Sequence, residues 1–208
     1  VICTDEKTGM QALEHKQLAK PVKPGEIEKC EYEYIRNGTQ VLIASRDVNT
    51  GKMAAQLVTD TRKEEDFANH ITNVVASIGK DKDIIFIMDQ LNTHKSESLV
   101  KLIAKECGIS EELGTKGESG ILKTMESRQK FLEDKSHRIR IVYTPKHSSW
   151  LNQIEIWFGI LTRMLVNKRA SFKSVEDLKT RVLAFIEYYN EHLAKAFKWT
   201  YSGKILQA

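Results

Sequence analysis

The stretch "DIIFIMDQLNTHKS", residues 83–96, sets the fold class of this 208-residue sequence. Five consecutive apolar residues, 84–88, lead directly into Asp89, and a polar loop follows. A short continuous apolar run is typical of a central strand that is buried on both faces. Ligand sites in α/β sheets gather at the ends of such strands, so the pattern predicts that Asp89 is presented at a functional edge.

The segments on either side alternate between strand and helix signals, which predicts an α/β fold with a mixed sheet flanked by helices. A long loop over residues 7–25 is expected after a short first strand. Asn37-Gly38 is the strongest short turn signal in the chain and predicts a β-hairpin. The predicted strands cover residues 1–5, 30–36, 40–47, 53–59, 84–89 and 138–143.

Apolar residues at helical spacing predict five helices. Thr61, with Glu64 three residues later, is expected to cap the first helix, and Gly79 to end it. The polar segment 108–137 contains one short predicted helix. We interpret this segment as a helical insertion before the last strand, and a solvated spacer is the alternative. The other predicted helices cover residues 95–107, 121–132, 148–165 and 175–189.

The composition excludes several classes of protein. A formal net charge of +4 permits a nucleic-acid partner without requiring one. No apolar run approaches the roughly 18 residues of a membrane span, and no signal peptide is recognisable, so we expect no membrane partner. The three cysteines, Cys3, Cys30 and Cys107, are far apart and show no CxxC spacing, which favours reduced thiols in a cytoplasmic protein.

Three carboxylates occupy informative positions. Asp5 ends the first predicted strand, Asp89 ends the buried one, and Glu155 lies in the first turns of a helix. Each of them alone is compatible with a cap or turn residue. If they converge, they repel one another unless a pKa rises or a cation binds, and carboxylate oxygens suit Mg²⁺ or Mn²⁺. Two such ions about 4 Å apart support phosphodiester chemistry.

These acids lie in three motifs, "CTDEKTGMQALEH", "DQLNTHKS" and "YTPKHSSWLNQIEIWFGIL". The motifs resemble the catalytic domain of bacterial insertion-sequence transposases of the mariner-like superfamily, over nearly the whole chain to the "WTYSGK" tail. The resemblance implies an RNase H-like fold, a five-stranded sheet and a DDE triad of Asp5, Asp89 and Glu155 that binds the metal. It also matches Asn152 to the asparagine of a family motif, and we expect that residue to contact DNA.

The sequence departs from the family in two places. The family commonly has asparagine directly after the second aspartate, whereas this chain has Gln90, whose amide lies one methylene further out. The family also carries N-terminal helix-turn-helix modules, which these 208 residues lack. We therefore expect a fragment or a truncated copy. On the resemblance, segment 108–137 is expected near the DNA or a partner subunit.

Several other residues carry open interpretations. His94, where the family often has histidine, is compatible with a phosphate contact, support of the metal site, or a capping or core role. Lys146 and His147 are expected to bring positive charge to the DNA, although His147 also suits a plain turn. Trp150 lies in an aromatic cluster of the kind usually found in a core, yet it is the best candidate for stacking on a base.

A basic patch follows the Glu155 helix. Arg163, Lys168 and Arg169 are expected to contact DNA phosphates, and the alternative is a favourable interaction with the helix dipole. Glu6 is a weaker metal candidate than its neighbour Asp5, because adjacent strand residues face opposite sides of a sheet.

The function predicted from these observations is metal-dependent cleavage of DNA at transposon ends, followed by strand transfer into target DNA. The resemblance implies both steps, two Mg²⁺ or Mn²⁺ ions, a homodimer on DNA, and action in the bacterial cytoplasm at the nucleoid. One alternative is another RNase H-like nuclease. A second is a catalytically dead remnant that binds only DNA or a partner.

Overall fold

The apolar run of residues 84–88 forms a strand inside a five-stranded sheet, as its pattern predicts. The computed structural model describes residues 1–17, 20, 23–27, 32–167 and 170–197. Cys30, at the start of a predicted strand, and the aromatic tail from residue 198 lie outside the described residues. The strands are β1 (Ile2–His15), β2 (Tyr34–Asp47), β3 (Met53–Thr59), β4 (Ile84–Met88) and β5 (Ile139–Tyr143). The α-helices are α1 (Glu64–Ile78), α2 (Glu97–Glu106), α3 (Met125–Leu132), α4 (Gln153–Met164) and α5 (Val175–Tyr188).

The sheet has the strand order β3-β2-β1-β4-β5. The strands β1, β4 and β5 are parallel, whereas β2 pairs antiparallel with both of its neighbours, so the predicted mixed sheet is confirmed. The strand β4 lies between β1 and β5, which places its end beside the path of β1.

The first strand is much longer than predicted. The strand β1 runs on to His15, so the expected loop over residues 7–25 is wrong in its first half. The register with β2 shifts between Lys7 and Met10, where β1 contains one extra residue, and this bulge interrupts the alternation that marks a strand in sequence. Beyond the bulge, Met10 and Ala12 are buried on one face.

The predicted hairpin at Asn37-Gly38 is also wrong. Both residues lie inside β2, where a second register shift gives β2 the extra residue. Gly38 has a φ of 124°, and a Cβ at this position would lie 2.7 Å from Val175 Cγ1. The local turn signal is therefore used as a bulge under α5, because pairing with β1 outweighs local preference.

Helices cover both faces of the sheet. The helices α1, α2 and α3 pack on one face, against alternate residues such as Ile2 and Phe86. The helices α4 and α5 pack on the other face, against residues such as Cys3 and Leu42. Because side chains alternate along a strand, Asp5 points toward the α4 face and Glu6 toward the α1 face.

Four helix starts differ from prediction by a few residues, and α3 begins at Met125 instead of residue 121. The first helix begins at Glu64, and Thr61 does not cap it but donates a hydrogen bond to Asp66. A 3₁₀ turn over Asn92–Lys95 precedes α2, and another over Ser149–Leu151 precedes α4. Each 3₁₀ turn follows a strand end, so each brings polar side chains back toward the sheet edge.

The second half of the segment 108–137 packs on the domain, whereas residues 108–120 are mostly exposed. Phe131 and Leu132 of α3 are buried in the core on the α1 face. Arg128 is also buried, and it donates to the carbonyl oxygens of Lys95 at 2.8 Å and Leu122 at 2.9 Å. Across the described residues, no helix is both long and apolar enough to cross a membrane.

Candidate active site

The structure brings Asp5 and Asp89 side by side on neighbouring strands, but Asp5 lies inside β1 and not at its end as predicted, because β1 continues to His15. The strands β1 and β4 pair in parallel through Cys3 and Ile87, and each aspartate lies two residues beyond that pair. Asp5 is buried, while the side chain of Asp89 is 33% exposed. The apolar residues of β4 are held in the core, and Asp89, which follows them, is partly exposed at the edge of the sheet.

Glu155 is contributed by helix α4 and not by the sheet. It is exposed in the first turn of α4, and α4 packs on β1. Partial desolvation at the helix start raises the pKa of Glu155. Lys7 opposes this rise, and repulsion from Asp89 adds to it. Glu155 is therefore close enough to Asp89 for the two carboxylates to repel each other.

The electrostatics of the two aspartates differ. Burial, followed by repulsion from Asp89 and Glu6, raises the pKa of Asp5 to about 7, despite the hydrogen bond that its carboxylate accepts from the Glu6 backbone. A hydrogen bond from His94 lowers the pKa of Asp89, although burial opposes this shift. Asp5 therefore lacks a sufficient compensating positive charge, whereas Asp89 has one in His94.

The position of His94 excludes the phosphate contact considered for it. Its side chain is fully buried, so it does not face a substrate phosphate. Its Nδ1 lies 2.8 Å from Asp89 Oδ1, and its Nε2 lies 3.2 Å from Glu6 Oε2 at an angle that misses hydrogen-bond geometry. Burial opposes protonation of the ring, but the two carboxylates outweigh it and raise the His94 pKa to about 10.

Glu6 is a site residue that the sequence argument undervalued. It follows Asp5 inside β1, and His94 contacts both Glu6 and Asp89. One ligand atom from each of Asp5, Glu6 and His94 lies within 4.8 Å of the others. The available signal was the alternation itself, since a glutamate on the core-facing side of β1 requires a buried partner.

Gln90 holds the ends of two strands together. Its Nε2 donates to the carbonyl oxygen of Thr144, just after β5, at 3.0 Å. Its Oε1 accepts a hydrogen bond from Lys95 at 3.4 Å, and Lys95 lies over the ring of Tyr143. The amide that replaces the expected asparagine is therefore engaged with the protein.

Asn152 requires a correction. We expected it to contact DNA, but its side chain is fully buried and its Nδ2 donates to the carbonyl oxygen of Thr4 at 2.9 Å. Thr4 precedes Asp5, and Asn152 precedes α4, so this bond fixes the start of α4 against β1. The residue therefore joins β1 to the start of the helix that carries Glu155, and it is not exposed to a ligand on the surface.

Four of the predicted DNA-contacting residues are exposed, and two of them lie beside Asp89. Lys146 and His147 are exposed and line a cleft of about 390 Å³ together with Asp89 and Gln90. Trp150 is 69% exposed, in contrast to the buried Trp157 of the same aromatic cluster. Arg163 is exposed at the end of α4. Lys168 and Arg169 lie outside the described residues.

Comparisons with known proteins give a family and a fold. The sequence profile of a family described as DDE superfamily endonuclease matches residues 1–179. A search among curated protein sequences found no match.

Solved structures with a similar fold come from a mariner transposase. The chain is similar to the Mos1 mariner paired end complex with Mn, with a TM-score of 0.57 and 11% identity over 94% of this chain and 49% of that one. It is similar to the Mos1 transposase paired-end complex with left transposon end (0.58, 11%, 94% and 48%). It is also similar to the Mos1 Strand Transfer Complex (0.55, 12%, 89% and 46%).

The chain thus spans about half the length of these solved proteins. The likeness concerns the fold, and it confirms the expected RNase H-like arrangement of a mixed five-stranded sheet flanked by helices.

Proposed function

This chain belongs to the DDE superfamily endonuclease family, and from that premise we propose that it is the catalytic domain of a DNA transposase. The observation that supports the proposal is that Asp5 and Asp89 lie on paired parallel strands of the sheet, while Glu155 lies in the first turn of α4, which packs on β1. The reaction is cleavage of a phosphodiester bond at a transposon end, followed by attack of the freed 3′ hydroxyl on target DNA.

The donor set suits a divalent cation. The raised pKa of Asp5 reflects burial and repulsion from Asp89, and a bound cation relieves both. Carboxylate oxygens favour Mg²⁺ or Mn²⁺, and three such residues with substrate oxygens are sufficient for two ions. When bound, these ions activate a nucleophile and stabilise a leaving oxygen in phosphodiester chemistry. Asp5, Asp89 and Glu155 are the residues that hold them.

The surrounding residues bind and orient DNA. Lys146 and His147 supply positive charge beside Asp89, on the exposed wall of the cleft. Trp150 presents an exposed ring on which an unpaired base stacks. Arg163, and with it Lys168 and Arg169, contacts backbone phosphates, so binding weakens with salt.

The similarity to the Mos1 transposase structures also supports a proposal for the oligomeric state. Two of the similar structures are described as paired-end complexes, and we propose that this chain likewise acts as a homodimer on paired DNA ends. The motif resemblance to bacterial insertion-sequence transposases supports action in the cytoplasm, at the nucleoid.

The experiment that tests this function measures nicking of duplex DNA that carries the element's terminal repeat, in the presence of Mn²⁺. We expect Asp89→Ala to abolish nicking, because it removes a metal ligand. Asp83→Ala is the matched control, since Asp83 is exposed at the opposite end of the same strand. Undiminished nicking by Asp89→Ala contradicts the proposal. Preferential cleavage of RNA–DNA hybrids over transposon ends indicates the rival nuclease function.

A further inference from the structure

Glu6 carries a buried carboxylate whose purpose the proposed chemistry does not explain. Its side chain is 2% exposed, and Oε1 has no hydrogen-bond partner within the described part of the chain. A carboxylate in such a place is costly unless a positive partner compensates it. The contact that Glu6 makes is with His94, at 3.2 Å between Oε2 and Nε2.

His94 is held on every side. Its ring lies against Phe67, with centroids 4.4 Å apart, and its carbonyl oxygen accepts a hydrogen bond from the Tyr143 hydroxyl at 2.7 Å. The next residue, Lys95, is fixed through its own carbonyl by Arg128. The 3₁₀ turn that carries the imidazole is therefore clamped by α1, α3 and β5, and the ring has little freedom to reorient.

The clamped ring fixes one oxygen of Asp89. Oδ1 of Asp89 receives both the His94 Nδ1 contact at 2.8 Å and the backbone N–H of Leu91 at 3.0 Å. Both contacts involve the same oxygen, and no described hydrogen bond holds the other. Residues that orient a metal ligand in this way commonly set its metal affinity.

We propose that Glu6 is a positioning residue that acts through His94 to aim Asp89 at the metal. Glu6 contacts the Nε2 side of the imidazole as an ion-pair partner, and Nδ1 on the opposite side lies 2.8 Å from Asp89 Oδ1 and 3.3 Å from the Asp89 carbonyl oxygen. The proposal rests on the proposed function, in which Asp89 is a metal ligand. A competing arrangement has Asp5, Glu6 and His94 themselves ligating a cation, as their 4.8 Å cluster permits. The direct contact between Glu6 and His94 in a fully buried setting favours positioning over ligation.

The test is a calorimetric titration of the 208-residue chain with Mn²⁺ in the absence of DNA. We expect Glu6→Gln, which keeps the shape and removes the charge, to weaken Mn²⁺ binding about 10-fold, and Glu6→Ala by up to about 100-fold. Glu14→Gln, on the same strand and bonded to Asn37, is the matched control and leaves Mn²⁺ affinity unchanged. In an Asp89→Ala background, Glu6→Gln has no further effect on Mn²⁺ affinity, because the ligand that it positions is gone.

A purely structural role predicts a different result. In that case Glu6→Gln lowers the melting temperature while the folded protein binds Mn²⁺ as tightly as the parent, which overturns the proposal even if Glu6→Ala fails to fold. Direct ligation also overturns it, and is detected as nitrogen coupling in the Mn²⁺ electron paramagnetic resonance spectrum that His94→Gln removes. If the parent chain binds Mn²⁺ but nicks no transposon end, the proposed transposase function fails while the positioning role stands.

Discussion

Replacing Asn152 with alanine distinguishes a residue that holds α4 from one that contacts DNA. The side chain is fully buried, and its amide spans 2.9 Å to the carbonyl oxygen of Thr4. Asn152 occupies the N-cap position of α4, but its side chain makes no capping hydrogen bond, so alanine removes no cap. The bond to Thr4 is therefore the main interaction that the substitution deletes.

The expected cost follows from leaving a buried acceptor unpaired. Removing one partner of such a bond costs about 1–3 kcal/mol in the free energy of unfolding. For a domain of this size, each kcal/mol lowers the melting temperature by about 2–4 °C. Glu155 lies three residues further along the same helix, and a shift of about 1 Å in a reacting group costs on the order of 10²-fold in rate. The loss of nicking should thus exceed the loss of folded protein.

Urea unfolding, DNA binding and Mn²⁺-dependent nicking are measured on the same preparations. Asn190→Ala is the control, because Asn190 also bonds the backbone away from the site, donating to the Met53 carbonyl oxygen at 3.1 Å and accepting from the Met53 N–H at 2.7 Å. It should lose at least as much stability, with nicking reduced only by the unfolded fraction. Asn152→Ala with the parent's stability but weakened DNA affinity would refute the positioning role and restore the DNA contact expected from sequence.

Two further predictions concern charge and aromatic exposure. Between pH 4.5 and 6.5, the metal-free protein should lose about 2 kcal/mol of unfolding free energy as pH rises, because the Asp5 pKa of about 7 lies above its ordinary 3.8 and ionisation is disfavoured in the fold. Asp5→Asn should remove this slope in urea titrations. An unchanged slope in that variant contradicts the assignment to Asp5. Trp150→Ala should weaken DNA binding by about 1–3 kcal/mol without altering the melting temperature. Trp157→Ala, in the core, should instead cost about 3–5 kcal/mol of stability. A lower melting temperature for Trp150→Ala would contradict the exposed position of its ring.

The parts of the fold that the sequence predicts are those governed by local periodicity. The run of residues 84–88 predicts β4, and the helical spacing after Glu64 predicts α1, because burial on both faces or on one stripe leaves a direct pattern. The placing of Asp5 and Asp89 side by side follows once β1 and β4 are parallel neighbours.

The parts that it misses depend on pairing between distant segments. The bulges near Gly9 and Gly38 arise from the register between β1 and β2, and the sequence around each glycine resembles a loop or a turn. Glu6 and Asn152 were misjudged for the same reason, since their partners, His94 and Thr4, are 88 and 148 residues away. A polar residue at a core-facing position shows that a partner exists, but the chain order does not identify that partner.

The departure from the family at Gln90 acquires a different meaning from its contacts. The sequence argument treated the longer side chain as a threat to a directly positioned contact at the metal. In the structure its amide instead joins Thr144 and Lys95, on the side of Asp89 that forms the cleft with Lys146 and His147. An asparagine is one methylene shorter, so it does not span the same two partners without moving a strand end. Glutamine at this position therefore bears on the shape of the cleft beside Asp89, while Asp89 itself is contacted by His94.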